Sequence, residues 1–356
     1  MNVTKQISNK QIPNKQIPKM LTPSSAPAVV VADIGGTHAR IALAGLPVAG
    51  DIGNTIALQA FEAMQCADFS SLPALIQHYQ ALHPPATSLP WVLAVAAPIV
   101  QGDVVAQANL PWPVGHGDLR AYFPMLRMNL LNDFVALAHA VPLIQAQQLT
   151  QLCGPILPIT SLGPVLVIGP GTGLGAAIYL PGSPSRVLAS EAGHAALAAC
   201  TDLEIELLRQ LKRRWSHVDV ERILSGPGLL NCYQALCEIE AQVPKYQRPA
   251  ELARAAMQGE DALAQRCLSI FCAWMGSVVA DLSIVVGAQR VILAGGISSQ
   301  ILGFLSASDF AARFVDKGVM REVMATIPVQ VIDHGQWALF GAAQWYTENK
   351  FDVQPR

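Results

Sequence analysis

Asp133 stands where a short apolar run, residues 128–131, gives way to a helical pattern, FVALAHAVPLI. A carboxylate there could accept the proton of a hydroxyl attacking a phosphoryl group. Asn132 beside it offers a donor and an acceptor to neighbouring hydroxyls. The same pair also suits a helix N-cap, since Asn and Asp ahead of a helical run accept free backbone N–H groups. Base and cap both stand open, and each residue can take one role. A polar pair at the C-terminal end of a strand, just before a helix, is where open α/β sheets bind ligands.

Three glycine turns offer complementary chemistry. The first, in VVVADIGGTHARIAL, carries Asp33, Gly35, Gly36 and Thr37. Glycines let backbone N–H groups approach phosphate closely, and Thr37 adds a hydroxyl donor. Asp33 suits magnesium, directly or through water, because that ion keeps several waters and takes only one or two carboxylates. The turn is neither G-x-G-x-x-G nor a Walker loop. The second, GPGTGLG, brings Gly171, Thr172 and Gly173 to a tight turn where Thr172 would bond a terminal phosphate. The third, Gly295-Gly296, ends a buried strand and would face an adenosine. Each alone reads equally as an ordinary turn; together they suggest one nucleotide held from three sides.

Glu191 and His194 form E-x-x-H in a loop of small residues. Carboxylate and imidazole pair well with vicinal hydroxyls, and no third ligand with metal-site spacing accompanies them. Glu221, ahead of a break predicted at Gly226-Pro227-Gly228, is a third hydroxyl ligand or a solvated helix residue paired with an arginine.

The elements that must position these groups follow from periodicity. Strands are predicted at 29–34 and 39–46 as a hairpin, with alternation at 51–61 and a continuous strand over 91–99. Helices are predicted over 69–82, from Asp118 as a cap, after Asp133, over 202–215, and over 251–286 with an interruption near Gly259. Strand–glycine turn–strand recurs at Thr37 and Thr172, which implies two lobes, each with a phosphate-facing hairpin, around a cleft. The final stretch, VQVIDHGQWALFGAAQWY, predicts a strand and a helix that returns to the first lobe.

Composition narrows the class. With 356 residues the chain can build two domains, and a net charge of −2 argues against nucleic acid as a partner. Apolar residues make up 52% and charged ones 13%. The segment 267–288 is long enough to span a membrane, but Asp281 interrupts it, so a buried helix is expected. Seven scattered cysteines without a C-x-x-C pair fit free thiols in a reducing cytoplasm. Residues 1–27 carry KQISN, KQIPN and KQIPK repeats; a disordered tail, or a start at Met20, is expected.

ADIGGTHARIAL, LLNDFVALAHAVP, IGPGTGLGAA, SEAGHAAL, ERILSGPGLLNCY, FCAWMG, VILAGGI and FVDKG, in this order and spacing, resemble the bacterial glucokinase family of the sugar kinase, actin and chaperone-ATPase superfamily. The resemblance implies a two-domain, actin-like (ribonuclease H-like) α/β fold with an interdomain cleft. The small domain would hold residues 28–142 plus 336–356, and the large one 143–335. It implies that Asp33, Ile34, Gly35, Gly36, Thr37, Gly171, Thr172 and Gly173 hold ATP phosphates, with Gly295 and Gly296 on the adenosine side. Asn109, Asn132, Asp133, Glu191, His194 and Glu221 would surround glucose, with Asp133 as base. Mg-ATP as donor, cleft closure on glucose and a homodimer are expected, with no nucleic acid or membrane partner. A kinase for another hexose, or an idle sugar sensor, are the alternatives. The chain departs from the family pattern at His38, where Asn is frequent, at Ala192, where Gly is frequent, and in HGQWALFGAA from His334, which bears on nucleotide preference.

Overall fold

The computed structural model describes residues 28–47, 55–104, 110–112, 114–158, 163–333 and 335–349. Two β-sheets organise them. In chain order the first region supplies β1 (Ala28–Ile34), β2 (His38–Gly45), β3 (Ala57–Gln65), β4 (Trp91–Val95), the two-residue ribbon β5 (Ile99–Val100) with β6 (Asp103–Val104), and β7 (Met128–Asn132). The first sheet runs β3-β2-β1-β4-β7. The second region supplies β8 (Leu149–Cys153), β9 (Val165–Pro170), β10 (Leu174–Leu180), β11 (Arg186–Ser190), β12 (Arg290–Leu293) and β13 (Val329–Ile332), ordered β11-β10-β9-β12-β13-β8. Both sheets repeat one plan: two antiparallel pairings around a hairpin, then two parallel pairings. β8 adds an antiparallel edge strand to the second. The duplication read from Thr37 and Thr172 is this shared plan.

Buried faces explain the strand sequences. In β1, Val30, Ala32 and Ile34 face a core with Leu72, Leu75 and Tyr79 of the helix Leu72–Leu82. Val29 and Val31 face the other side, against Leu339, Ala342 and Ala343 of the helix Trp337–Asn349. A strand buried on both faces reads as a continuous apolar run, as VVVA does. The last helix therefore returns to the first sheet, as predicted.

The long helix Ala262–Val286 is buried through most of its apolar stretch. It packs against the helices Gly226–Ile239, Pro249–Met257 and Phe310–Val315. Asp281 sits on its exposed side, paired with Lys317 at 2.6 Å. The interruption near Gly259 is real: Gly259 has φ +69° between two helices.

Three local expectations need correction. The strand at 91 ends at Val95, because the chain leaves the sheet at Ala96 and Ala97 before Pro98. Gly226-Pro227-Gly228 does not break a helix but begins one: Ser225 caps it by accepting from the Gly228 N–H at 2.9 Å, and proline suits the first turn. Asp118 is no cap; its helix, His116–Tyr122, starts earlier behind Gly115. The tail 1–27 lies outside the described residues.

Candidate active site

The helix Asp133–His139 lies between the two sheets, packing on β4 and β7 of one and on β9, β10 and β11 of the other. Its N-terminus opens into a cavity of about 320 Å³ bounded by both sheets. That falls in the range of ligand pockets, roughly 300–1,000 Å³.

Asn132 is the cap. Its side-chain oxygen accepts from the N–H groups of Phe134 (2.9 Å) and Val135 (3.1 Å), while its Nδ2 donates to the Ala97 carbonyl at 3.2 Å. Capping thus falls to Asn132, and Asp133 keeps contact with the cavity. One oxygen of Asp133 accepts from the Phe134 N–H at 2.9 Å. Burial pushes its carboxyl up to about 7, with Asp33 and, more weakly, Glu191 adding like-charge repulsion. A carboxylate poised near neutrality fits the demands on a general base.

Asp33 is the penultimate residue of β1 and pairs in register with Arg40 on β2. Arg40 Nη1 donates to Asp33 Oδ2 at 3.0 Å, and both side chains line the cavity. Gly35, Gly36 and His38 line the same wall. Ile34 is fully buried in the first core, and Thr37 is exposed between Gly36 and His38; neither is among the lining residues. Opposite stand Gly171, Thr172, Gly173 and Gly175, with Gly295 and Gly296 closing the rim. Gly295 adopts φ +83°, and a Cβ there would lie 2.6 Å from the Pro170 carbonyl, so the turn after β12 requires glycine.

Glu191, His194 and Glu221 also line the cavity. Burial raises the Glu191 carboxyl; His194 opposes that shift and Glu221 adds to it. Glu221 is not an arginine partner: its Oε2 accepts from the Leu174 N–H at 3.1 Å, tying the turn before β10 to the turn Val220–Arg222. Its carboxylate therefore anchors the glycine-rich loop and faces the cavity at once. His194 Nδ1 lies 3.6 Å from Asp219 Oδ2. Asn109 and His334 lie outside the described residues.

Sequence reasoning missed three features that shape this site. Arg40 lies opposite Asp33 across the hairpin, and period-two counting from Gly35-Gly36 would have put it on the same face. Asp219 stands beside His194 from another segment, and no local signal announces it. Pro98, with Ala96 and Ala97, lines the wall above Asn132 because β4 ends early.

Four carboxylates, Asp33, Asp133, Glu191 and Glu221, thus meet three glycine turns in one cavity between two sheets. The glucokinase family model matches residues 30–349. The chain belongs to the glucokinase family. A glucokinase-like protein of Xylella fastidiosa (strain 9a5c) is 40% identical over 91% of this chain and 96% of its own length. A glucokinase of Saccharophagus degradans is 36% identical over 89% of this chain and 97% of its own. The crystal structure of a glucokinase from an Antarctic psychrotroph superposes with a TM-score of 0.75 at 34% identity, covering 89% of this chain and 98% of that one. The α/β fold implied by the sequence is the fold of this family.

Proposed function

We propose that this chain transfers the γ-phosphoryl group of ATP to the 6-hydroxyl of D-glucose, with Asp133 as general base. The observation that carries this reading is the Asp133 carboxyl, set just after β7 in a cavity shared with the three glycine turns. Asp133 would orient the hydroxyl and take its proton as the new O–P bond forms. Asn132, Glu191, His194 and Glu221 would hold the other sugar hydroxyls. The turns at Gly35-Gly36 and Gly171–Gly173 would present N–H groups to the phosphates, and Gly295-Gly296 would lie beside the adenosine.

Magnesium fits the donor set. Asp33 and Asp133 face one cavity, where the charge of Asp33 disfavours ionisation of Asp133, and a cation would relieve that repulsion. Asp33 would hold it, through water; Arg40 already takes one of its oxygens. Bound there, the ion would neutralise phosphate charge that the acidic cavity otherwise repels.

Residues 28–142 with 336–356, and residues 143–335, form the two domains in this reading, and glucose draws them together to exclude water. A cytoplasmic homodimer completes the proposal. The test is a coupled assay with Mg-ATP across glucose, fructose, mannose, galactose and glucosamine. Preferred turnover of glucose is the expected result. Preferred turnover of another hexose would move the substrate assignment, and sugar binding without turnover would replace the kinase by a sensor.

A further inference from the structure

A larger cavity, about 710 Å³, lies at the other end of β12 from the glycine turn. Leu157, Ile284, Met320, Val323, Met324 and Ile327 form its apolar walls. Its mouth is apolar too: Leu157, Ile284 and Val323 are 45%, 39% and 50% exposed.

Among the described residues, one cation lines this cavity. Arg290, the first residue of β12, is only 2% exposed. Its guanidinium donates to the Gln330 side-chain oxygen and to the carbonyls of Leu157 (3.3 Å) and Pro158 (2.6 Å). None of these acceptors is charged, and Nε has no partner. A buried cation without a counter-charge is costly, and its desolvation is recovered best by an anion in a dry site. Of its five N–H donors, the one on Nε and one on Nη1 are left for an anion.

We propose that this cavity is a binding site for an apolar monocarboxylate, such as a medium-chain aliphatic acid, with its chain on the apolar walls and its carboxylate against Arg290. The single cation and the apolar lining disfavour a sugar phosphate, whose second charge and hydroxyls would find no partners there. Arg290 also opens β12, which ends at Leu293, and Gly295 and Gly296 follow at the kinase cavity. A ligand at Arg290 therefore grips the root of a strand whose tip shapes the active site.

Isothermal titration of the full chain with sodium decanoate tests this without requiring turnover, so it stands or falls apart from the kinase reading. Decanol is the neutral control. Arg290→Gln removes the charge, and Val323→Trp fills the mouth from a half-exposed position far from the kinase residues. Saturable one-to-one binding, weakened about tenfold or more by each substitution and by use of decanol, is expected. If Arg290→Gln fails to fold, Val323→Trp and decanol still decide. Absence of saturable binding, or binding that neither Val323→Trp nor the loss of the carboxylate weakens, would overturn the proposal.

Discussion

Replacing Asp133 by Asn should stabilise the protein in a pH-dependent way. The carboxyl is held near 7 in the fold against an ordinary value of 3.8. Below about pH 4 both folded and unfolded chains hold the proton, and the group contributes no difference. Between about pH 4 and 7 the unfolded chain has ionised while the folded chain keeps its proton, so stability falls as pH rises. Above about pH 7 both are ionised and the full penalty remains. At about 1.36 kcal/mol per unit, a shift of roughly three units sets a ceiling of about 4 kcal/mol. Asp133 keeps contact with the cavity, so solvent screening lowers the working figure to about 2 kcal/mol. Asn preserves the oxygen that accepts from the Phe134 N–H and carries no charge near Asp33 or Glu191. Thermal unfolding of both proteins at about pH 5 and about pH 8 reads the effect, and their difference cancels the titration of remote groups. The Asn variant should gain a few degrees at the higher pH and much less at the lower. An equal gain at both values, or a loss at the higher one, would refute the assignment of a strained carboxylate.

Three further outcomes follow from named contacts. Glu221→Gln keeps an acceptor for the Leu174 N–H but loses the charge, so the fold should survive while KM for the sugar rises about tenfold in steady-state kinetics. Gly175→Ala would place a Cβ 1.9 Å from the Phe134 ring, next to Asp133; a fall in kcat with a stability loss of about 1–3 kcal/mol is expected from kinetics and thermal melts. Glu348 receives bonds from His139 (3.0 Å), Ser185 (3.0 Å) and Gln344 (2.9 Å), joining the last helix to the helix of Asp133 and to the β10–β11 connection. Burial alone would raise its carboxyl, but these bonds hold it below the ordinary range. Glu348→Ala should therefore cost about 2 kcal/mol near neutrality, less as pH falls through that lowered value, measured by denaturant unfolding at several pH values.

Much of this arrangement is legible in the chain. Continuous apolar runs such as VVVA and VLVI declare strands buried on both faces, and glycine turns after them mark where backbone must approach a ligand closely. Asn132-Asp133 is legible as a pair but not as a division of labour. Only the bonds from Phe134 and Val135 to Asn132 assign the cap and leave Asp133 facing the cavity. Glu221 shows the same limit. Its bond to the Leu174 N–H spans distant parts of the chain, so no local pattern could distinguish it from a solvated helix residue. Gly226-Pro227-Gly228 misleads because glycine and proline disfavour helix interiors yet are well suited to a helix start, and Ser225 decides between the two.

The most direct test of the central claim is turnover of Mg-ATP and glucose by Asp133→Asn, with glucose binding measured in parallel. A drop in kcat of about 10² to 10⁴, with glucose affinity largely kept, is predicted for loss of a general base. Near-normal turnover in the variant would contradict it and remove Asp133 from the chemistry.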